Sequence, residues 1–327
     1  MKSDRPLTVR ELNRATLARQ WLLDRKVRQP FAAIRSLVAV QGQVSNAPYV
    51  GLWSRLRNFK RDDLTALIEG RGVVRAPSFR GTLQLQAGED YLLFQPLVRR
   101  ALARDLHLFA KRSKGFDWER VAASLLAYLR ERPRTGVELR AKMEELFSGF
   151  GKPNILDSVR TELVLRYLAA FGPASVQDIQ SWSGLRRLDS TVEALRSSLR
   201  TFRDEEGREL FDLSDAPRPK PDTPAPVRFL PEFDNLVFGH DDRRRIVSDA
   251  DRPRLLTRDF NCAAVLIDGF AKGKWKVERQ PERMTLVIDL FEALSRKAQN
   301  ELQEEGERLL RWMGGEKGSY TIRIEGG

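Results

Sequence analysis

Val73-Val74-Arg75-Ala76-Pro77-Ser78-Phe79-Arg80-Gly81-Thr82-Leu83-Gln84-Leu85 decides the fold, because it predicts two short strands around a turn directly after a run of helices. Thr8-Val9-Arg10-Glu11 opens the first helix, a threonine followed three positions later by an acid. Leu12, Leu17, Trp21 and Leu22 then recur at helical spacing. A second helix is predicted over about Pro30 to Val40, a third over Asn46 to Arg57, and a short fourth over Asp62 to Glu69, ended by Gly70. Helices followed by a β-hairpin make the winged-helix pattern.

The pattern repeats without visible identity between units. Residues 88–157 predict helices over Asp90 to Arg112, over Trp118 to Glu131 and after Thr135. Residues 158–215 predict Val159 to Phe171, Val176 to Gly184 and Asp189 to Leu199 as helices, then Leu210 to Leu213 as a strand. Residues 214–227 carry five prolines and read as a linker, assigned to 216–226. Beyond it the period changes. Val227 to Leu230, Ala263 to Ile267, Lys274 to Val277, Thr285 to Ile288 and Tyr320 to Ile324 predict strands, with a helix over Glu301 to Trp312. The expected fold is therefore α+β: tandem winged-helix units over 1–87, 88–157 and 158–215, and a β-rich, barrel-like domain over 227–327.

Charge is distributed unevenly. Residues 1–60 hold twelve Lys and Arg against three Asp and Glu, nine of the chain's net twelve positive charges. Such a concentration points to a polyanion, since cations that neutralise phosphates release condensed counterions. At 41% apolar and 31% charged, the 327 residues are those of a globular chain rather than a disordered one. No apolar run approaches the roughly 18 residues that span a bilayer, and the N-terminal Met1-Lys2-Ser3-Asp4-Arg5-Pro6 lacks the apolar core of a secretion signal. Cys262 is the lone cysteine, which excludes an internal disulfide and points to a reducing cytoplasm. With only His107 and His240, a multi-histidine metal centre is excluded as well. No cofactor is expected.

Gln41-Gly42-Gln43 is the sharpest chemical signal. An amide pair one residue apart can hold a water molecule without carrying charge, although Gln and Gly are also ordinary residues at the end of a helix. The wider sequence adds to it. Gln41-Gly42-Gln43 followed by Ala47-Pro48-Tyr49-Val50-Gly51-Leu52-Trp53-Ser54-Arg55-Leu56, then Phe79-Arg80-Gly81-Thr82-Leu83, resembles the AlkZ/YcaQ-like family of DNA glycosylases. Phe229-Leu230-Pro231-Glu232-Phe233-Asp234-Asn235-Leu236-Val237-Phe238-Gly239-His240-Asp241-Asp242-Arg243 and Val265-Leu266-Ile267-Asp268-Gly269 extend the resemblance in order along nearly the whole chain. Two positions depart from the family's glycosylases, which commonly carry a bulkier residue in place of Gly42 and often a histidine in place of Gln84.

The resemblance implies winged helices arranged in a C shape around duplex DNA, and excision of alkylated purines or unhooking of interstrand crosslinks. Gln41 and Gln43 would hold the nucleophilic water. Asn46, Arg55, Arg57, Arg80, Thr82 and Gln84 would contact DNA near the lesion, and the loop bearing His240, Arg243 and Arg244 would face the cleft. An amide pair suits a labile substrate such as a cationic 7-alkylguanine, whose base leaves with little acid catalysis. The expected protein is a monomeric, nucleoid-associated cytoplasmic enzyme acting on damaged double-stranded DNA, without membrane or metal. The alternative is a non-catalytic winged-helix protein, either a transcriptional regulator or a damage-recognition factor. A partner-binding scaffold would leave the N-terminal charge without a purpose. Glu232, Asp234, Asp241 and Asp242 match no metal spacing and read as acids pairing with Arg243, Arg244 and Arg245. Trp53, Trp182, Trp275 and Trp312, beside Leu and Val, read as core rather than as platforms for bases.

Overall fold

In the computed structural model, which describes residues 5–99, 153–257, 263–280, 283–315 and 318–326, Thr8 caps the first helix as expected. Its side chain accepts the Glu11 amide N–H, and Glu11 accepts the Thr8 amide N–H, closing a capping box on α1 (Val9–Arg19). α2 (Pro30–Ser36) is shorter than predicted. Val38 takes a left-handed φ of 65°, which a helix cannot continue through. Val40–Gln41 then forms strand β1. The glutamine pair therefore leaves a strand and not a helix end. α3 (Ala47–Arg55) and α4 (Arg61–Glu69, with Gly70 at its C-cap) lead into β2 (Val73–Pro77) and β3 (Leu83–Ala87). The three strands lie antiparallel in the order β1-β3-β2, with Gln41 opposite Gln84 and Ala76 on the other side of Gln84.

Helix α5 occupies 88–99 and begins the long helix predicted from Asp90. Most of that helix and the two predicted after it lie outside the described residues. α6 (Pro153–Phe171), α7 (Val176–Ser183) and α8 (Asp189–Leu195) precede a hairpin of β4 (Leu199–Arg203) and β5 (Glu209–Leu213). β4 begins at Leu199, where the predicted helix ends, and only its partner β5 is predicted from sequence. Ala174, between α6 and α7, bridges antiparallel to Phe211 of β5, with backbone bonds of 3.0 and 2.8 Å. One order thus occurs twice: a helix, a short extended segment that pairs forward, two helices, and a hairpin.

β6 (Arg228–Phe229), α9 (Asn235–Phe238), α10 (Arg252–Leu255), β7 (Ala264–Ile267), β8 (Phe270–Gln280), β9 (Arg283–Leu290), α11 (Arg296–Gly314) and β10 (Ser319–Gly326) complete the chain. The sheet runs β10-β9-β8-β7-β6, with β10 parallel to β9 and the other neighbours antiparallel. The barrel-like expectation is corrected here: among the described residues the sheet is open, with β6 and β10 at its edges. The reason lies in α11. Its Leu302, Leu309 and Leu310 pack with Trp275, Leu286 and Ile288 of the sheet, covering apolar surface that closure would otherwise have to bury. The same cluster takes in Ile34, Trp53 and Leu56, so the first and last parts of the chain share one core.

The proline-rich stretch is a strap along α1. Prolines have no N–H, so donors for the carbonyls of this stretch must come from elsewhere. Arg10 Nε donates to Pro221 O at 2.8 Å, Arg14 Nε to Thr223 O at 2.7 Å and Arg19 Nη2 to Pro217 O at 3.3 Å. Arg19 also forms a bidentate pair with Asp212 at 2.7 and 2.9 Å, and both side chains are at most 1% exposed. Arg218, partly exposed, also pairs with Asp212, so removing Arg19 leaves the buried carboxylate with one cation in place of two. Arg19→Ala is expected to lower the stability by about 3 kcal/mol, the lower end of the cost of breaking a buried pair, read as a fall in the urea midpoint. A loss below about 1 kcal/mol, the size typical of exposed pairs, would show that the pair does not hold α1 in place.

Candidate functional site

Gln41 is buried and Gln43, two residues on, is exposed. The Gln41 side chain turns back along its own backbone, and its Oε1 accepts the amide N–H groups of Gly42 and Gln43, each at 2.7 Å. Gln43 reaches across to the next strand, where its Oε1 accepts the Leu83 amide N–H at 3.1 Å. A carboxamide oxygen has two lone pairs. Both are engaged in Gln41, whereas Gln43 keeps one. Arg75 closes the segment from the far side, donating from Nε to Gly42 O at 2.6 Å and from Nη2 to Gln43 O at 3.4 Å. Gly42 lies outside the left-handed region, so it is not a positive-φ turn that calls for glycine here. Space does: a Cβ would meet Leu83 O at 3.3 Å and the Arg75 side chain at 3.4 Å.

Behind the pair, Asn235 joins three pieces of chain. Its Nδ2 donates to Ala39 O at 2.8 Å and to Gln84 Oε1 at 3.2 Å, and its Oδ1 accepts Arg80 Nη2 at 3.0 Å. Gln84 is fully buried and also donates to Thr82 Oγ1 at 2.7 Å. Arg80 sits at the tip of the β2–β3 connection with φ 57° and donates to Trp182 O at 2.7 Å. Gly184 makes that contact possible. It caps α7 at φ +74°, and a Cβ there would fall 3.1 Å from the Arg80 backbone. Burial, followed by the nearby Arg243 charge, lowers the Arg80 guanidinium to about 10, still protonated near neutral pH. Asn235 and Arg75 escaped the sequence reading as site residues, although both lie in the stretches quoted for their motifs.

The other expected contacts divide between surface and interior. Asn46 is half-buried, accepting Arg61 Nη2 at 2.8 Å, and Arg61 lies over the Tyr49 ring at 4.5 Å. Arg57 is exposed and paired with Asp24 at 2.6 Å. Arg243 is half-buried and lies over the Phe238 ring at 4.9 Å. Arg244 pairs with Asp242 and Glu206. Three of the residues expected at the DNA lie inside the protein: Gln84, held by Asn235 and Thr82 as above, Arg55 and His240. Arg55 forms a buried bidentate pair with Asp234 at 2.8 and 2.9 Å. His240 is 1% exposed and donates from Nε2 to Phe171 O at 2.9 Å. Burial, followed by the Arg245 charge, lowers its imidazole to about 3, so it is neutral and has no charge to offer a phosphate. Of the acids expected to pair within the loop, Asp242 does pair with Arg244 and also reaches Arg208, whereas Asp234 pairs with Arg55. Trp53, Trp182 and Trp275 are buried in core clusters, and Trp312 packs on Trp53 and Phe59.

The N-terminal cations show the same division. Arg10 and Arg14 meet Asp268, Arg25 meets Glu305, and Arg35 meets Glu89. Much of the charge concentrated in residues 1–60 is thus matched by acids from distant parts of the chain. Among the described residues no three His, Cys, Asp or Glu side chains gather as for a metal ion, and no helix is long and apolar enough to cross a membrane.

A structure similar to this one is that of the Streptomyces sahachiroi DNA glycosylase AlkZ, with a TM-score of 0.74 at 17% identity over 98% of this chain and 100% of that one. No curated protein matches the chain. A model of the AlkZ-like DNA glycosylase family matches residues 34–160 and 152–312, a span that includes the glutamine pair, the strand pair behind it and Asn235. On that match, the chain belongs to the AlkZ-like family of DNA glycosylases.

Proposed function

We propose that this protein is a monofunctional DNA glycosylase that acts as a monomer on damaged duplex DNA and hydrolyses the N-glycosidic bond of cationic 7-alkylpurines or crosslinked purines. The observation that carries the reading is the exposed Gln43 carboxamide, anchored on Leu83 and still able to accept one hydrogen bond. Its oxygen orients one water proton and directs the water lone pair at the anomeric carbon. Gln41, whose oxygen is engaged twice by the backbone, serves as a rigid support and amide donor. The glycosidic bond breaks with its electron pair going to the base, which leaves neutral because alkylation had made it cationic. The new C–O bond forms to water, whose proton passes to solvent. Neither amide is a base, so the rate gain comes from positioning and electrostatics.

The helix–strand order of α2, β1, α3, α4, β2 and β3 supports a winged helix, and that of α6, Ala174, α7, α8, β4 and β5 supports another. The unit expected over 88–157 lies mostly outside the described residues. Phosphates would meet Arg61, Arg80 and Arg243, with Arg75 and Thr82 beside the reacting sugar. The Arg243 charge disfavours that of Arg80, a repulsion that an anion between them relieves.

Duplex affinity is expected to fall linearly with salt on logarithmic axes, and Arg243→Gln to make the slope shallower by about 0.9, the value of one phosphate contact. A total slope near that of nine contacts would instead require the N-terminal cations to leave their acids. Filter binding across a salt series measures both.

Gln43→Ala is expected to cut single-turnover excision of 7-methylguanine by about 10²–10³ while leaving duplex affinity within twofold. Gln43→Asp, which supplies a true base, is expected to extend excision to less labile adducts. Alkali-labile abasic sites are the readout. If wild type excises no alkylated purine yet binds the duplex, the protein is a non-catalytic DNA-binding member of the family.

A further inference from the structure

A cavity of about 630 Å³ opens on the side of α3 that carries its C-terminus, and none of Gln41, Gln43 and Arg80 lines it. Arg25, Arg57, Arg228 and Arg308 converge there, against an apolar wall that includes Trp53 and Trp312. Three of these guanidinium groups share one carboxylate. Glu305, 1% exposed, takes a bond of 2.6 Å from Arg25, stands 3.6 Å from Arg228, and pairs with Arg308. Arg57 shares Asp24 with Lys26. Counting the four lining arginines against Asp24 and Glu305 leaves two positive charges unmatched. Arg228 feels the crowding. Burial, then the Arg25 charge, lowers it to about 10. Its Nε is fixed on Leu22 O at 3.1 Å and its Nη1 on Val227 O at 3.0 Å, so the group cannot swing out to water.

From this geometry we infer that the cavity is a second anion site, built to take a phosphate group between Arg57, Arg228 and Arg308. Planar guanidinium forks match phosphate oxygens two at a time, and the rigid, buried Arg228 gives the site a fixed cation at its base. A bound phosphate also balances the excess charge left around Glu305. The surplus of arginine is the main reason to read a ligand here. A purely structural ion pair between α11 and the α1–α2 connection needs one arginine for one glutamate, not three. The phosphate can belong to a small anion or to the DNA backbone beyond the reacting nucleotide.

The test uses the full chain and two variants on one face of α11: Arg308→Gln, and Arg311→Gln as a control. Both side chains are 58% exposed, and Arg311 pairs with Glu307 and does not line the cavity. Inorganic phosphate is titrated against chloride of equal ionic strength while Tm is followed. The expected result is a saturable rise in Tm specific to phosphate, weakened about tenfold in apparent affinity by Arg308→Gln and unchanged by Arg311→Gln. Duplex binding across a salt series distinguishes the sources. A slope made shallower by about 0.9 in Arg308→Gln assigns the phosphate to the DNA backbone, and an unaltered slope with lost phosphate binding assigns it to a small anion. If phosphate raises Tm no more than chloride and the salt slope of Arg308→Gln equals that of wild type, the inference is overturned. None of these readouts depends on excision, so this result stands apart from that of the glycosylase assay.

Discussion

Asp234 and Asn235 are neighbours in sequence, and between them they fix the position of the glutamine pair. Asp234 holds Arg55 at the end of α3 through two buried bonds and caps its own short helix by accepting Leu236 N–H at 2.9 Å. Asn235 holds the backbone at Ala39, just before β1, together with Gln84 in β3 and Arg80 at the strand connection. The glutamines sit on the segment between Ala39 and α3. The start of that segment and the far end of the helix that follows it are therefore both held by a dipeptide distant in sequence. Buried polar groups of this kind are costly unless every bond is made. The geometry at Gln41 and Gln43 thus depends on the C-terminal part of the chain being docked.

The charges follow the same long-range logic. A sequence whose first sixty residues carry nine excess positive charges suggests a basic face. In the folded chain Arg14, Arg19, Arg25 and Arg55 reach Asp268, Asp212, Glu305 and Asp234, and all four arginine side chains are largely withdrawn from solvent. Pairing leaves the net charge of the whole chain unchanged but moves where the field emerges. An ion pair seen from beyond a Debye length of about 10 Å exerts little attraction. What remains effective at the surface are cations without a close acid, and these are set by tertiary contacts that sequence distance does not reveal.

Among the described residues before the proline-rich stretch, the helices and their order were legible because capping and apolar spacing are local: Thr8 with Glu11 and Gly70 after α4 act within a few residues. β1 was not. Val40 and Gln41 extend an apolar helical run, and only the left-handed Val38 and the pairing with Leu85 and Gln84 turn them into strand. β4 was lost for the same reason, since its partner β5 defines it. The barrel expectation failed on a global property. Five strands in alternation do not tell whether apolar surface is closed on itself or covered, and α11 covers it. At the candidate site the residue types were readable and their burial was not. His240 looks like a surface cation beside three arginines, yet it lies inside as a neutral ring bonded to Phe171.

The distinction between Gln41 and Gln43 is the part of the site that sequence could least supply. Identical side chains two residues apart invite a symmetric role, in which both amides hold one water. Hydrogen-bond capacity breaks the symmetry. An oxygen that already accepts two N–H groups has no lone pair left for a water proton unless it gives one of them up. An oxygen that accepts one can take the water and remain anchored. Gly42 belongs to this arrangement through space rather than through backbone freedom, since Leu83 O and the Arg75 side chain press on the place where a Cβ would stand. A bulkier residue there would have to move the β3 backbone or the Arg75 side chain. A shift of that backbone changes the distance from Gln43 Oε1 to Leu83 N, the bond that aims the amide.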